Sequence, residues 1–290
     1  MPSLKEVKIR INSVSSTRKI TSAMKLVASS KLRKAQQAIG GMRPYQQRLD
    51  AMMSHIAGEL GDEINFSLAQ VRPVQRAVVV CLSSNSSLCG AFNSNAIKAT
   101  LSVIETLRAQ GVKTVEVLPI GQKIAEKMRK NGFEFDSAHA NLLDHPQYNG
   151  IASIAAKLMK RYALGEIDKV VLVYNHFKNT ASQVMYTETL LPVSLDTANT
   201  TANKGQSLNY IIEPSYKGLL EALLPKGIAL KLYTAVLDSL AAEHSARVIA
   251  MQTATDNADQ LLHDLTLTYN KTRQAAITAE LLDIVGASFQ

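Results

Sequence analysis

From Ile228 to Val285 the chain runs without a glycine or a proline, the two residues that most weaken a helix interior. Steps of three and four from Leu230 visit Leu230, Tyr233, Leu237, Leu240, His244, Arg247, Met251, Ala254, Ala258, Leu261, Leu265, Thr268, Thr272, Ala275, Ala279 and Leu282. Twelve of these sixteen are apolar, a heptad seam long enough to predict a coiled-coil helix. At about 1.5 Å per residue the stretch is about 87 Å long. A compact chain of 290 residues is only about 50 Å across. The helix therefore has to project, and something has to cover it.

The first 50 residues supply a candidate cover. They carry eleven Lys or Arg against Glu6 and Asp50, a net +9, whereas residues 227–290 carry four basic and seven acidic residues, a net −3. Opposite signs suit two long segments for lying side by side. A basic arm for nucleic acid is the competing reading, but the segment has one aromatic, Tyr45, and its apolar positions are spaced for packing. With 46% hydrophobic and 19% charged residues the chain can bury a core. Its start lacks the pattern of a signal peptide, and its longest uncharged run, Ala77 to Ile97, is too polar to span a bilayer. It reads as soluble, with docking against a membrane assembly left open. Cys81 and Cys89 fit neither a disulfide framework nor a metal site and are expected as reduced thiols.

In chain order, Ser3 with Glu6 forms a capping box, and Leu4, Val7, Ile11 and Val14 begin an apolar seam that resumes at Ala35, Ile39, Met42, Leu49, Met52 and Ile56. Ile20, Met24 and Val27 are the apolar points between. These predict one helix over residues 1–58, kinked at most by Gly40, Gly41 and Pro44. From Arg76 the period changes. Short β-branched runs at Ala77–Leu82, Thr114–Ile120 and Val170–His176 alternate with helical stretches at Ser94–Ala109, Gln122–Lys130 and Ile151–Ala163. That alternation predicts a doubly wound parallel sheet of Rossmann-like type, with Val184–Leu191 as an edge strand. The α/β domain is expected over residues 76–207, with a Thr/Ala/Asn/Gly loop at Asp196–Ser207. The C-terminal segment, 208–290, would open on a strand at Leu208–Ile212 and be broken once, at Pro225 and Gly227. The fold class is thus α/β plus a long antiparallel coiled coil of the N- and C-terminal helices.

If the first helix ends near 57 and the last starts near 214, residues at one level have numbers adding to about 271. Met24 then lies opposite Arg247, and nothing beyond Asn270 has a helix to pair with. Yet that tip is apolar, from Ala275 to Val285, and a lone helix in water should not be. A partner has to enclose it.

The residues offer little chemistry. The loop Ser83–Asn93 follows a strand and precedes a helix, where nucleotide sites often lie. It lacks the dinucleotide fingerprint and the lysine of a phosphate-binding loop, so a packed strand-to-helix turn is the plainer reading. Nothing in the sequence supplies Cys89 with a base, and the six histidines have no ligand-like spacing. His244 and Arg247, polar in the seam, either set register or meet a partner protein. The chain does not read as a free-standing enzyme, and no cofactor or metal is expected.

Two stretches, Leu4–Ala35 (LKEVKIRINSVSSTRKITSAMKLVASSKLRKA) and Glu243–Ala287 (EHSARVIAMQTATDNADQLLHDLTLTYNKTRQAAITAELLDIVGA), resemble the gamma subunit of the F-type ATP synthase. LCGAFNSN at Leu88–Asn95 and YIIEPS at Tyr210–Ser215 add to the resemblance. Ser87 and Ala91 stand where glycines are typical, and Ser22 where a basic residue is common. The resemblance implies a central-stalk rotor that couples proton-driven turning of the c-subunit ring to the nucleotide states of the catalytic beta subunits. The implied partners are the alpha, beta and epsilon subunits and the c ring, with no nucleic acid and no membrane insertion. The implied location is the cytoplasmic face of a bacterial inner membrane, as a peripheral part of the complex. By the same resemblance Met24 and Arg247 meet an acidic loop of beta, and Gln274, Thr278 and Glu280 form a catch near the tip. Ile277, Leu281, Leu282, Ile284 and Val285 would sit in an apolar sleeve. The alternative function is a coiled-coil scaffold with a nucleotide-sensing α/β domain.

Overall fold

A computed structural model describes residues 3–60, 66–194, 213 and 215–288. It divides into two compact units, one of residues 1–30 and 247–290, the other of residues 31–246. Two long helices contribute to both: α1, Leu4–Leu60, and α6, Tyr216–Ser288.

The larger unit is built on a four-stranded sheet. In chain order its elements are β1 (Arg76–Leu82), α2 (Phe92–Ala109), β2 (Thr114–Ile120), α3 (Gln122–Lys130), α4 (Asn141–Asp144), α5 (Tyr148–Ala163), β3 (Lys169–Phe177) and β4 (Gln183–Leu191). The strand order is β2-β1-β3-β4. The first three strands are parallel and β4 runs antiparallel beside β3. The parallel strands need helical crossovers, and these cover both faces. Period-two alternation sorts β1 accordingly. Val78, Val80 and Leu82 face Ile151, Ile154 and Leu158 of α5 and Ile228, Leu232 and Val236 of α6. Ala77, Val79 and Cys81 face Ile104 and Leu107 of α2 and Ile124 and Met128 of α3. Each of the Val, Leu, Ile and Met side chains named, fully buried, contributes about 1.5–3 kcal/mol.

The entry to this sheet is fixed by polar contacts. Asp168 accepts the backbone N–H of Gln75 (3.0 Å) and of Arg76 (2.9 Å) and pairs with Arg72 Nε at 3.4 Å. Burial works to raise its carboxyl, but the two N–H groups and the nearby arginines outweigh that and hold it below the ordinary carboxylate range. The Arg72 guanidinium lies 4.3 Å from the centroid of the buried Tyr162 ring, whose hydroxyl donates to Gln70 O at 2.7 Å.

Expected and observed boundaries differ most in α6. Pro225 lies inside a continuous helix rather than ending one, although it deprives the backbone of one hydrogen bond. Gly227 is a packing glycine, since a β-carbon there would lie 2.7 Å from Met53 Cε of α1. Around that contact Leu49, Met53 and Ile56 of α1 pack on Leu220, Leu224 and Leu230 of α6. Tertiary burial thus holds together a stretch that local propensity would interrupt. The helix is also unbroken through Pro44 in α1. The short α4 is not foreseen by the sequence pattern. The expected loop at 196–207 and strand at 208–212 lie outside the described residues.

Candidate functional site

In the smaller unit α1 and α6 run antiparallel. The capping box forms as expected: Ser3 N donates to Glu6 Oε2 at 3.0 Å, and Glu6 N to Ser3 Oγ at 3.3 Å. Arg18 pairs with Asp259 at 2.8 Å, and the hydroxyls of Thr21 and Thr255 meet at 2.8 Å. The numbers of these pairs add to 277 and 276, not 271. The cause lies in the helix ends: α1 stops at Leu60 and α6 starts at Tyr216, not near 57 and 214. Met24 is therefore not opposite Arg247. The two are offset by five or six residues, about 8 Å along the axis.

The seam is corrected with the register. Within residues 4–30 of α1 the covered positions are Val7, Thr21 and Ala28, with Ile11, Val14 and Met24 half-buried, whereas Ile20 and Val27 stand exposed. On α6 two consecutive steps of four lead from Arg247 through Met251 to Thr255. The stripe then follows the buried Ala258 and the half-buried Leu262, Leu265, Tyr269, Thr272 and Ala276, leaving Leu261, Thr268, Ala275 and Ala279 on the exposed side. A straight helix drifts by about 20° per heptad, so a strict three-four count loses the stripe after a few turns. The Thr21–Thr255 pair escaped sequence reasoning because both residues are polar. Their signal is position, since Thr21 lies seven residues after Val14 and before Ala28.

The residues expected to meet partners are distributed unevenly. Arg247 is only 9% exposed. Met24 is half-buried, and Gln274, Thr278 and Glu280 are exposed. The apolar tip is open: Ile277, Leu281, Leu282, Ile284 and Val285 are 49–66% exposed. With the observed register, the start of α1 at Leu4 is level with about residue 273, three residues beyond the expected end of pairing.

The loop after β1 is occupied with its own packing. Ser84 N donates to Asn93 Oδ1 at 3.0 Å, and Asn93 Nδ2 donates to Ser84 Oγ at 2.8 Å. Ser83 Oγ accepts the N–H of Ile124 at 3.0 Å, capping α3 from the neighbouring strand. Gly121, at φ 119°, approaches Ser83 so closely that a β-carbon would lie 2.5 Å from its carbonyl oxygen. Cys89 and Phe92 are buried against Ala242 and Ala246 of α6 and against Phe177. The left-handed positions are Leu88 (φ 67°) and Gly90 (φ 58°), while Ala91 is right-handed at φ −83°. Alanine at 91 therefore carries no strain. Both cysteines are free and buried, and burial pushes the Cys81 thiol well up. Among the described residues no helix is long and apolar enough to cross a membrane.

A family profile described as ATP synthase matches residues 3–288. The ATP synthase gamma chain of Phocaeicola vulgatus is 47% identical over 99% of both chains. That of Bacteroides fragilis (strain ATCC 25285) is 48% identical over 99% of both. In structure the chain resembles, with TM-score 0.61 and 18% identity, a chain of the Euglena gracilis mitochondrial ATP synthase in its OSCP/F1/c-ring assembly. The match covers 99% of this chain and 93% of that one.

Proposed function

Because this chain belongs to the ATP synthase gamma-chain family, we propose that its paired helices form the shaft whose apolar tip turns in a sleeve of the catalytic head. The chain is the rotor subunit and performs no catalysis itself. The partners are the alpha and beta subunits of the head, the epsilon subunit and the c ring, and the place is the cytoplasmic face of a bacterial inner membrane. Proton flow turns the ring and the rotor with it, and the rotor's uneven surface takes each beta subunit in turn through its nucleotide states.

The observation that carries the sleeve is the open tip, where Ile277, Leu281, Leu282 and Ile284 are each about half exposed or more. Enclosing such side chains in an apolar ring is favourable in proportion to area, while apolar contact is non-directional and so permits turning. Met24 and Arg247 lower on the shaft, and Gln274, Thr278 and Glu280 near the tip, are the contacts with beta. Arg247 offers only an edge, whereas Gln274, Thr278 and Glu280 stand open. A contact biases a conformational equilibrium only by its differential free energy between states. Torque therefore needs contacts that are weak and differ with angle, which polar side chains on an exposed helix face provide.

Met24→Lys tests the beta contact. It places a cation against an acidic loop and should lower the protons pumped per ATP hydrolysed in the assembled enzyme, with assembly intact. An unchanged ratio would remove Met24 from the contact.

A further inference from the structure

Three side chains of α6, spaced by seven residues, reach the hairpin formed by β3 and β4. Lys231 Nζ lies 3.0 Å from Glu188 Oε2 of β4, and Glu188 also accepts the Tyr174 hydroxyl of β3 at 2.9 Å. Asp238, its side chain only 5% exposed, accepts the N–H of Phe177 at the end of β3 (3.0 Å). Arg43 of α1 donates to the same oxygen at 3.1 Å, and the other oxygen lies 2.5 Å from His176 Nδ1. Ser245, fully buried, donates to Thr180 O in the hairpin turn at 2.6 Å and accepts from Gln183 of β4 at 3.3 Å. Residues 231, 238 and 245 share one helix face. Between them the contact with the sheet is apolar, through Ile228, Leu232, Ala235, Val236 and Leu240.

Apolar packing resists separation but is non-directional, whereas hydrogen bonds weaken steeply with misalignment. A turn of α6 about its own axis, or a slip by one residue, would break all three polar ties at once. We propose that Lys231, Asp238 and Ser245 form a rail that fixes α6 in rotation and register on the β3–β4 hairpin, and are positioning residues for torque transfer. Asp238 extends the grip to α1 through Arg43. The proposal rests on the rotor reading, and it assigns the stiffness of the joint between sheet and helices to this row of polar groups.

The test is single-molecule rotation of the assembled ATP synthase with the head immobilised. A probe is attached through Leu164→Cys, an exposed site at the end of α5. In complexes stalled at one catalytic dwell, the variance of the probe angle measures torsional stiffness. Asp238→Asn should raise that variance at least twofold. Lys231→Met, which removes a part-exposed pair with Glu188 and a charge facing Asp50 of α1, should raise it measurably without endangering the fold. Unloaded ATP hydrolysis should stay within the range of the parent, because no variant touches the tip. A parent complex that rotates on ATP, with variants as stiff as the parent, would overturn the rail while leaving the rotor reading intact, even if their melting temperatures fell. A parent chain that assembles but never rotates would overturn the rotor reading, and the rail with it.

Discussion

Replacing Leu281 and Leu282 together with glutamine separates the tip's role in docking from its role in folding. The two side chains are 56% and 66% exposed. Burying a leucine fully yields about 1.5–3 kcal/mol, so enclosing the exposed part of these two yields about 2–4 kcal/mol. Losing that should weaken association with the head by about 30- to 800-fold. Glutamine is close to leucine in helix propensity, and both positions are open to solvent, so the melting of the isolated chain should hardly move. Titration of a fluorescently labelled chain with purified alpha–beta head measures the first quantity, and circular dichroism melts the second. Association within threefold of the parent would refute the enclosed tip. A melting temperature that fell as steeply as the association would show that these leucines are packed within the chain itself.

Two further outcomes are expected. Thr21→Cys with Thr255→Cys should oxidise readily to a disulfide, since the parent hydroxyls meet at 2.8 Å, whereas Met24→Cys with Arg247→Cys should not. The reverse result on non-reducing gels would restore the register of 271. Asp168→Asn should destabilise the chain at neutral pH. Because the folded carboxyl lies below its ordinary value of about 3.9, the parent's advantage is full above about pH 4. It is lost as pH falls through the lowered pKa, so the gap in urea midpoint should close in acid. A gap that does not change with pH would contradict this.

How far the sequence carried the fold depends on the range of the interactions involved. The strands of the α/β unit are legible because runs such as Ala77–Leu82 are β-branched and end in turn residues. The Ser3–Glu6 box is legible because its partners are three residues apart. Pro225 misleads because the packing of Met53 on Gly227 comes from a segment far away in sequence. The helix register fails for a related reason: it depends on where two helices end, and an error of two or three residues at each end shifts the level by a turn and a half. The apolar tip was legible as composition, and its openness in the structure agrees. The rail of Lys231, Asp238 and Ser245 left no readable signal, since its partners lie on a hairpin some 40–65 residues earlier and polar residues at heptad spacing look like any solvated face.

If this chain turns inside a stationary head, the turning itself can be watched. With the alpha–beta head fixed to a surface and a probe on the α/β unit, the probe should rotate stepwise in one direction when ATP is added and stop when ATP is removed. A probe that stays still while the same complexes hydrolyse ATP at the full rate would contradict the rotor reading.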